Sequence, residues 1–507
     1  MFLRDSQSLP KNTSNTEKCI YKMKFHNIIL IIAIFVYSIT AFYSSGYFHA
    51  DEHYQIIEFA KILDGTNTPK DMAWEYHKQI RPAIQPLIAY GVFTLCKYLT
   101  ITDAYQLTFF LRLLTAFLSI SVIYYFTNSC KNIVAPKYWK VFLVLSYFLW
   151  FLPFLNVRFS SETWSGIFLM FSISLILRNY RRVLDYVFIG GVLGLSFLFR
   201  YQIAFSVIGL ILWLLFVRKE YIHNVGACIL SFLVVVLFGI AIDSWYYGNW
   251  TVTLLNYFIV NLVEGKAETF GTSPWYNYVL LIFRYPFFPI GIVLLLSFII
   301  VTIKRHKSII VWVILPFFIG HSFISHKELR FMFPIINLMP LLIISALEVV
   351  SFIHWSSIAK KLSVAILFIL VSINMICLAI AGLKPAGAGR DRVMREIHEL
   401  NNLEQLDVIY SNANNPYSPW GITTNFYKEN NATFISTDSV SNTKIHESNK
   451  RIVLVFTQAD SCDPKIKRII ADLDLKERCK SVPEFMIPFL RIYGYNIDDI
   501  IIVYSKV

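Results

Sequence analysis

The stretch "NIILIIAIFVYSITAFYS" at residues 27–44 contains 18 consecutive uncharged residues and follows three lysines, Lys18, Lys22 and Lys24. A helix of about 20 apolar residues crosses the hydrocarbon core of a bilayer, and flanking cations stay on its cytoplasmic side. Because no small-residue cleavage site follows, we interpret the stretch as a retained membrane helix rather than a removed signal peptide. It predicts a membrane protein with a cytosolic N-terminal segment at residues 1–24.

The composition of the whole chain agrees with this interpretation. Of 507 residues, 56% are hydrophobic and 16% are charged, which leaves too little polar surface for a soluble protein. The net charge is +13, but the basic residues cluster between apolar runs, as in "RNYRR" at 178–182 and "KRHK" at 304–307. Such clusters are typical of cytoplasmic loops. We therefore predict a polytopic protein surrounded by membrane lipid, with no nucleic-acid partner.

Apolar runs recur along the chain at lengths near those of membrane spans. If all basic clusters lie in the cytosol, one run cannot be a full crossing. The best candidate is 83–99, which follows Pro82, contains Pro86 and holds Lys97 near its end. We interpret it as a re-entrant or surface-lying helix, which leaves about 11 spans. The runs lie near 27–44, 83–99, 106–127, 141–155, 164–178, 183–199, 203–217, 226–243, 278–303, 309–323, 331–353 and 362–382.

This topology divides the chain into a membrane module and a tail. The module is predicted at 25–383 with a large first outer loop at 45–105, and the tail at 384–507 is predicted as a non-cytoplasmic soluble domain. Most polar residues outside the basic clusters then fall on the non-cytoplasmic side, and we expect them to meet at one membrane face. They belong to segments 45–82, 156–163, 244–277 and 322–330.

The tail has the pattern of a small α/β domain. "DVIYS" at 407–411, "RIVLVF" at 451–456 and "DIIIVYS" at 499–505 are β-like, and "DPKIKRIIADLDL" at 463–475 has helical spacing of its apolar residues. The tail also holds Cys462 and Cys479, which could be two free thiols or, outside the cytosol, a disulfide.

The segment "GYFHADEHYQIIEFAKIL" at 46–63 places Asp51 and Glu52 just after the first membrane helix. A carboxylate at a membrane face suits a general base. The alternative is that Asp51 only caps an amphipathic helix that lies on the bilayer. His49, Asp51 and His53 alternate, but a metal site needs further ligands of defined geometry, so we predict no metal.

A second charged stretch, "FISHKELRFMFP" at 323–334, carries His326, Lys327, Glu328 and Arg330 beside apolar sequence. Ionisable residues at membrane depth are costly and point to function. Because the topology puts this stretch on the outer side, it is not explained as a cytoplasmic basic cluster. Its cations suit an anionic lipid headgroup.

Other outer segments hold further candidates. Arg81, in "WEYHKQIRPAIQP" at 74–86, could clamp a phosphate through its guanidinium or could be an interfacial anchor. Arg158 and Glu162 lie in a short polar turn. The loop 243–278 is rich in aromatic and amide residues, which hold sugars in many sites but are also common at membrane interfaces.

Five of these stretches, in order over residues 46–334, resemble the hallmark motifs of the glycosyltransferase family 22 mannosyltransferases, which include enzymes of glycosylphosphatidylinositol-anchor and N-glycan-precursor synthesis. "HKELRF" is similar to that family's HKE-x-RF element, and "ADEHYQ" to its PDE-x-x-Q element with Ala50 replacing the usual Pro. Pro82 stands where Ser is common, and the tail matches poorly. The five stretches are "ADEHYQ" at 50–55, "WEY…IRPAIQP" at 74–86, "VRFSSE" at 157–162, the loop 243–275 and "HKELRF" at 326–331.

The resemblance implies a membrane all-α, polytopic C-type glycosyltransferase fold. It implies a polyprenyl-phosphate sugar donor, with dolichyl-phosphate mannose expected, a lipid-linked glycan acceptor, inversion to an α-mannoside, and no cofactor. Asp51 would be the general base, and Glu52 would bind sugar hydroxyls or support Asp51. The other expected site residues are His326, Lys327, Arg330 and Arg81 on the donor phosphate, Glu328 as an orienting group, and Gln55, Trp74, Arg158, Glu162 and Trp275 on the substrates.

Two other functions stay open. One is a bacterial transferase that moves another sugar from a polyprenyl carrier to a cell-surface glycan. The other is a transporter of lipid-linked sugars, for which we would expect internal symmetry and polar residues at mid-membrane, and the sequence has neither. The protein is accordingly expected in the endoplasmic reticulum membrane with a luminal active site, or in a bacterial inner membrane with a periplasmic one.

Overall fold

The structure is a computed structural model that describes residues 13–178, 182–351, 356–387, 389–410, 415–418, 422, 424–428, 431–436, 450–492 and 496–506. Most of it is helical, and the predicted apolar runs are helical along most of their described residues. The α-helices are Thr13–Tyr43, Ala50–Glu52, Glu58–Leu63, Trp74–His77, Ile84–Tyr98, Ala104–Ser129, Trp139–Phe148, Phe151–Asn156, Ser161–Leu177, Val183–Phe199, Ala204–Leu212, Ile222–Tyr247, Thr253–Phe258, Asn277–Arg284, Phe288–Lys304, Ile309–Phe323, Met339–Val350, Ser357–Leu383, Arg390–Asn401, Pro464–Asp472 and Ile487–Ile492.

Several helices are long and apolar enough to cross a membrane. In the described part of the chain there are five, or six if Phe288–Lys304 and Ile309–Phe323, bent by 118°, form one broken span. A multi-pass, mainly helical protein is thereby confirmed, whereas the number of about 11 spans stays a prediction, as does the re-entrant position of Ile84–Tyr98. The five are Lys24–Tyr43, Ala104–Asn132, Ile222–Tyr247, Leu329–Val350 and Lys361–Leu383, and shorter apolar helices include Ser161–Leu177, Val183–Phe199, Tyr201–Val217 and Thr253–Val263.

Two predicted runs are interrupted. The run at 278–303 breaks at Phe287, whose φ of 72° lies in the left-handed region, next to Pro286, which has no N–H to donate. The run at 141–155 breaks at Trp150. There the side chain of Asn374 accepts a hydrogen bond of 2.9 Å from the Trp150 nitrogen and donates one of 2.9 Å to the Phe148 carbonyl. The amide thus satisfies backbone groups that the break leaves without helical partners.

Contacts group the chain into two compact units. The first unit comprises Met1–Ala41, Arg112–Phe238 and Lys266–Leu383, and the second comprises Phe42–Leu111, Gly239–Gly265 and Lys384–Val507. The second unit therefore contains the predicted first outer loop and the predicted soluble domain together. The boundaries and sidedness of the predicted domains stay predictions.

In the first unit, Ser161–Leu177 packs closely against the 3-10 helix Leu329–Leu338. Gly166 is required there, because a Cβ at this position would lie 2.6 Å from the carbonyl oxygen of Pro334. Nearby, the buried amides of Asn156 and Asn337 donate to each other at 2.8 and 2.9 Å. This packing fixes the backbone that follows the charged stretch at 326–330.

In the second unit, the tail forms a mixed sheet of order β2-β1-β3-β5-β4. β1 pairs in parallel with β2 and β3, whereas β5 is antiparallel to β3 and β4. The helix Pro464–Asp472 packs on this sheet, so the predicted α/β tail is confirmed; the short edge strands β2 and β4 were not predicted. Cys462 is exposed and Cys479 buried, and both are free thiols. The strands are β1 Leu406–Tyr410, β2 Thr433–Ser436, β3 Arg451–Thr457, β4 Lys476–Lys480 and β5 Ile501–Ser505.

The rest of the second unit has its own apolar core. Phe59, Met72, Ala83 and Tyr246 are buried against one another. The hydroxyl of Tyr246 donates a hydrogen bond of 2.8 Å to the Phe59 carbonyl. This core joins the first outer loop to the segment Gly239–Gly265 and supports the residues around Asp51.

Candidate active site

Two adjacent carboxylates follow the first membrane helix and take different positions. Both lie in the short helix Ala50–Glu52. Glu52 is buried, and its Oε2 accepts a hydrogen bond of 3.1 Å from the Phe48 backbone nitrogen. The side chain of Asp51 is 18% exposed, and its Oδ2 lies 3.6 Å from Nη2 of Arg81. Glu52 thus holds the backbone turn before the helix, while Asp51 faces an arginine.

Arg81 is positioned by residues at the end of the helix Ile222–Tyr247 and in the helix Thr253–Phe258. The Tyr247 hydroxyl donates a hydrogen bond of 2.9 Å to the Arg81 carbonyl oxygen. The guanidinium carbon lies 5.8 Å from the centroid of the Tyr257 ring, a distance at which a cation is attracted to an aromatic face. Two residues beyond Arg81, the Ala83 nitrogen donates to Oδ1 of the buried Asp243 at 2.7 Å. These contacts hold the guanidinium at the Asp51 carboxylate.

Glu75 is a second carboxylate at this guanidinium. Its Oε1 lies 3.9 Å from Nη2 of Arg81 and accepts a hydrogen bond of 3.0 Å from Nε2 of Gln55. Burial raises the pKa of Glu75, against the lowering effect of Arg81. Glu75 thus places a second, more deeply buried carboxyl group beside the guanidinium that faces Asp51. Glu75 is not among the predicted site residues, although it stands directly after Trp74 in the stretch 74–86 that resembles a family motif.

The alternation of His49, Asp51 and His53 does not form a metal site. Within the described ranges, no three His, Cys, Asp or Glu side chains lie together in a way that could hold a metal ion. Nε2 of His53 instead lies 2.7 Å from Oε1 of Glu58, and both side chains are buried.

The charged stretch at 326–330 lies in the first unit, where its basic groups have partners in the chain. The two nitrogens of His326 lie 2.8 Å from the Gly271 carbonyl oxygen and 2.9 Å from Oε1 of Glu328. Arg330 donates to both oxygens of Glu328, at 2.5 and 3.0 Å. The predicted orienting carboxylate thus contacts the guanidinium of Arg330 and the imidazole of His326 at once.

Lys327 binds backbone instead. Its Nζ donates to the carbonyl oxygens of Ser273 and Ile324 at 3.0 and 2.5 Å, and burial lowers the pKa of its ammonium. It lines a cleft of about 460 Å³, a volume typical of small-molecule sites. Trp275, 70% exposed, lies in the same cleft. The lining residues are Thr272, Ser273, Pro274, Trp275, Ser322, Phe323, Ser325 and Lys327.

Glu162 has a structural partner that sequence reasoning missed. Its Oε1 lies 2.7 Å from Nη1 of Arg200, and both side chains are 4% exposed. The same guanidinium lies 5.1 Å from the centroid of the Phe331 ring, which links this ion pair to the end of the charged stretch. Arg158 is also buried. Nothing local in the sequence around Arg200 pairs it with a residue 38 positions earlier.

Comparison with known protein families identifies the family of this chain. Residues 28–420 match the sequence model of the Alg9-like mannosyltransferase family. The chain belongs to this family. The predicted resemblance to family 22 mannosyltransferases is therefore confirmed.

Individual relatives share only a modest sequence identity with this chain. The chain is 25% identical over 335 residues to GPI mannosyltransferase 3 of Candida albicans, a match of 60% of this chain and 61% of the relative. It is 23% identical to GPI alpha-1,2-mannosyltransferase 3 of Homo sapiens, over 61% of this chain and 55% of the relative. A probable Dol-P-Man:Man(7)GlcNAc(2)-PP-Dol alpha-1,6-mannosyltransferase of Schizosaccharomyces pombe is 34% identical over 32% of this chain and 28% of its own. The chain thus matches about three fifths or less of each relative.

Among solved structures, the fold resembles ArnT from Cupriavidus metallidurans bound to undecaprenyl phosphate. The TM-score is 0.54 at 12% identity, over 95% of this chain and 97% of ArnT. At this identity the likeness concerns the fold alone. It supports the predicted C-type glycosyltransferase architecture for this member of the mannosyltransferase family.

The predicted site residues thus fall into groups, and their roles stay predictions. Asp51, Gln55 and Arg81 come together around Glu75 in the second unit, where Glu52 holds a backbone turn and Trp74 begins a short helix. His326, Lys327, Glu328, Arg330 and Trp275 lie around one loop in the first unit, where Arg158 and Glu162 are buried.

Proposed function

We propose that the protein transfers mannose from a polyprenyl-phosphate mannose, with dolichyl-phosphate mannose as donor, to a lipid-linked glycan, with inversion at the anomeric carbon. Family membership supports the sugar, and the names of the relatives support a dolichol-linked donor and a lipid-linked acceptor. The observation that carries the proposal is the partly exposed Asp51 carboxylate against Arg81, directly after a membrane helix.

In this proposal Asp51 is the general base. The acceptor hydroxyl oxygen attacks the anomeric carbon, its proton passes to the Asp51 carboxylate, and the bond from that carbon to the phosphate oxygen breaks. Arg81, 3.6 Å away, favours the ionised carboxylate and fixes its direction. The neighbouring Glu75 is buried, and burial raises its pKa against the lowering effect of Arg81.

The leaving group is a lipid phosphate, which is a stable anion and needs no strong acid. Charge grows on it in the transition state, and preorganised cations in a site of low dielectric stabilise that charge. We assign this role to Lys327, Arg330 and His326, with Glu328 holding the last two in place. The cleft beside Lys327 and Trp275 would take the donor headgroup.

We further propose that the protein is a multi-pass protein of the endoplasmic reticulum membrane with its active site on the luminal side. The apolar helices support the membrane location. The GPI mannosyltransferase names of the eukaryotic relatives support the compartment.

The test is a transfer assay with purified protein in liposomes. The protein is given radiolabelled dolichyl-phosphate mannose, or labelled GDP-mannose as a donor control, with a pool of lipid-linked glycans. We expect label to move from the lipid donor only, and Asp51→Asn to lose at least about 100-fold in rate. Asp64→Asn is the matched control, because Asp64 is an acid of the same loop that contacts only Lys61 and Thr66 among its described hydrogen bonds.

Two results would contradict the proposal. Transfer at the wild-type rate by Asp51→Asn would remove Asp51 as the base. Absence of transfer from any polyprenyl-phosphate sugar would remove the reaction itself and favour the transporter.

A further inference from the structure

We infer that residues 424–427, a short segment of the tail, are a positioning element for the catalytic carboxylate, and that they act through the buried pair His53–Glu58. This inference rests on the proposed role of Asp51. The segment lies beyond residue 420, where the match to the family ends. It belongs to the same compact unit as Asp51.

The helix that carries Asp51 continues into an unusual turn. Directly after Ala50–Glu52, residues His53–Ile57 form a π-helix before the α-helix Glu58–Leu63 resumes. π-turns are rare and occur often at functional sites. Side chains from elsewhere in the same unit contact this turn.

The ring of His53 receives this support on both faces. It stacks on Tyr47 at a centroid distance of 5.1 Å and an interplanar angle of 26°. It stacks on Tyr427 at 5.3 Å and 16°. The hydroxyl of Tyr427 donates to Oγ1 of Thr108 at 3.4 Å, which orients the Tyr427 ring. His53 is therefore clamped between one ring of its own loop and one ring of the tail.

The carboxylate of Glu58 completes the clamp. It accepts hydrogen bonds from Nδ2 of Asn67 at 2.6 Å and from the Phe426 backbone nitrogen at 3.1 Å, and it lies 2.7 Å from Nε2 of His53. Hydrogen bonds to a buried carboxylate are among the stronger ones in proteins. The tail segment thus contacts Glu58, directly after the π-helix, through its backbone, and His53 of the π-helix through a ring.

A third contact lies one residue along the π-helix. The hydroxyls of Tyr54 and Thr424 are 2.7 Å apart and buried. Three residues of the tail, at 424, 426 and 427, therefore contact three side chains at 54, 58 and 53 respectively. Contacts of this number fix the rotation of the helix about its axis as well as its position.

The rotation matters because Asp51 stands only two residues before His53. A small rotation would move the Asp51 carboxylate from Arg81, which it faces at 3.6 Å. A displacement of about 1 Å in a catalytic group can cost roughly 100-fold in rate. Residues 424–427 would therefore set the rate of the chemical step without contacting substrate.

The experiment compares Tyr427→Ala with Tyr427→Phe in the full chain. Tyr427→Ala removes the ring that stacks on His53, whereas Tyr427→Phe keeps it. We expect Tyr427→Ala to lower kcat by about 10- to 100-fold at an unchanged KM for dolichyl-phosphate mannose, and Tyr427→Phe to stay within about twofold of wild type. Amide hydrogen exchange of residues 53–58 should accelerate in Tyr427→Ala and not in Tyr427→Phe.

The two readouts separate the possible failures. If wild type transfers no mannose, the proposed function fails, and exchange at 53–58 still tests whether the tail holds the helix. Wild-type kcat in Tyr427→Ala, or exchange at 53–58 equal to wild type, overturns the inference. If Tyr427→Ala does not fold, Thr424→Val, which removes only the contact with Tyr54, replaces it. An unchanged kcat in a folded Thr424→Val then overturns the inference, and a reduced kcat at constant KM supports it.

Discussion

Replacing Glu162 with alanine would leave the guanidinium of Arg200 buried without its carboxylate. The two groups are 2.7 Å apart, and each side chain is only 4% exposed, so water cannot solvate the arginine in place of the carboxylate. Removing one partner of such a buried pair costs about 3–5 kcal/mol of the free energy of unfolding. The Ser161 hydroxyl, 3.3 Å from Nη1 of Arg200, and the Phe331 ring remain as partial partners. We therefore expect the lower part of that range.

The assay measures the free energy of unfolding at equilibrium. The protein in mixed micelles is titrated with a denaturing detergent. Ser161→Ala is the matched control, because it removes a hydroxyl beside the same guanidinium; we expect it to cost less than about 1.5 kcal/mol. The double variant Glu162→Leu with Arg200→Met removes both charges and should recover most of the lost stability.

The outcome separates two roles for Glu162. The sequence motif predicts that it binds substrate, whereas its geometry indicates a structural ion pair. If Glu162→Ala unfolds at the wild-type free energy and yet loses transfer with a raised KM, the structural reasoning is refuted and the substrate-binding role stands.

Three further changes test other parts of the structure. Asn374→Leu should cost about 1–3 kcal/mol in the same unfolding assay, because it leaves the Trp150 nitrogen at a helix break unpaired; an unchanged value would mean that the break is otherwise satisfied. Gly46→Ala should destabilise by about 1 kcal/mol or more, because φ is 72° and a Cβ would lie 2.8 Å from Cγ of Asp391; unfolding at the wild-type midpoint would contradict this. Burial raises the pKa of Glu75 above its ordinary 4.5, so its contribution to stability is complete below pH 4.5 and is lost as the pH rises through the raised pKa. Glu75→Gln should therefore lose less free energy of unfolding over that pH window than wild type does. Parallel curves of the free energy of unfolding against pH for the two proteins would refute the raised pKa of Glu75.

Much of the fold follows from local pattern. The apolar runs predict helices because a helix satisfies its own backbone hydrogen bonds and needs no partner in a bilayer. The central strands β1, β3 and β5 were predicted because they are buried and nearly all apolar. The edge strands β2 and β4 were not, because an exposed edge such as "KERCK" at 476–480 carries no hydrophobic pattern.

The candidate site could likewise be predicted only in part. Its motif residues, Asp51, Arg81 and the stretch 326–330, could be found because their residue types and spacing carry chemistry that is legible locally. Their partners could not. Glu75 and Arg200 look like ordinary polar residues until the fold brings them to a guanidinium and to a carboxylate.

The sequence by itself therefore determined the class of protein, the helical segments, the family and the chemical groups on offer. The tertiary structure alone decided which of Asp51 and Glu52 faces Arg81, and that residues 424–427 contact the π-helix at His53–Ile57. The physical reason is the separation in sequence between the residues that interact. Helix formation and membrane partition depend on neighbours within a few residues, whereas the ion pairs and stacked rings described above join side chains that lie tens to hundreds of residues apart in the chain.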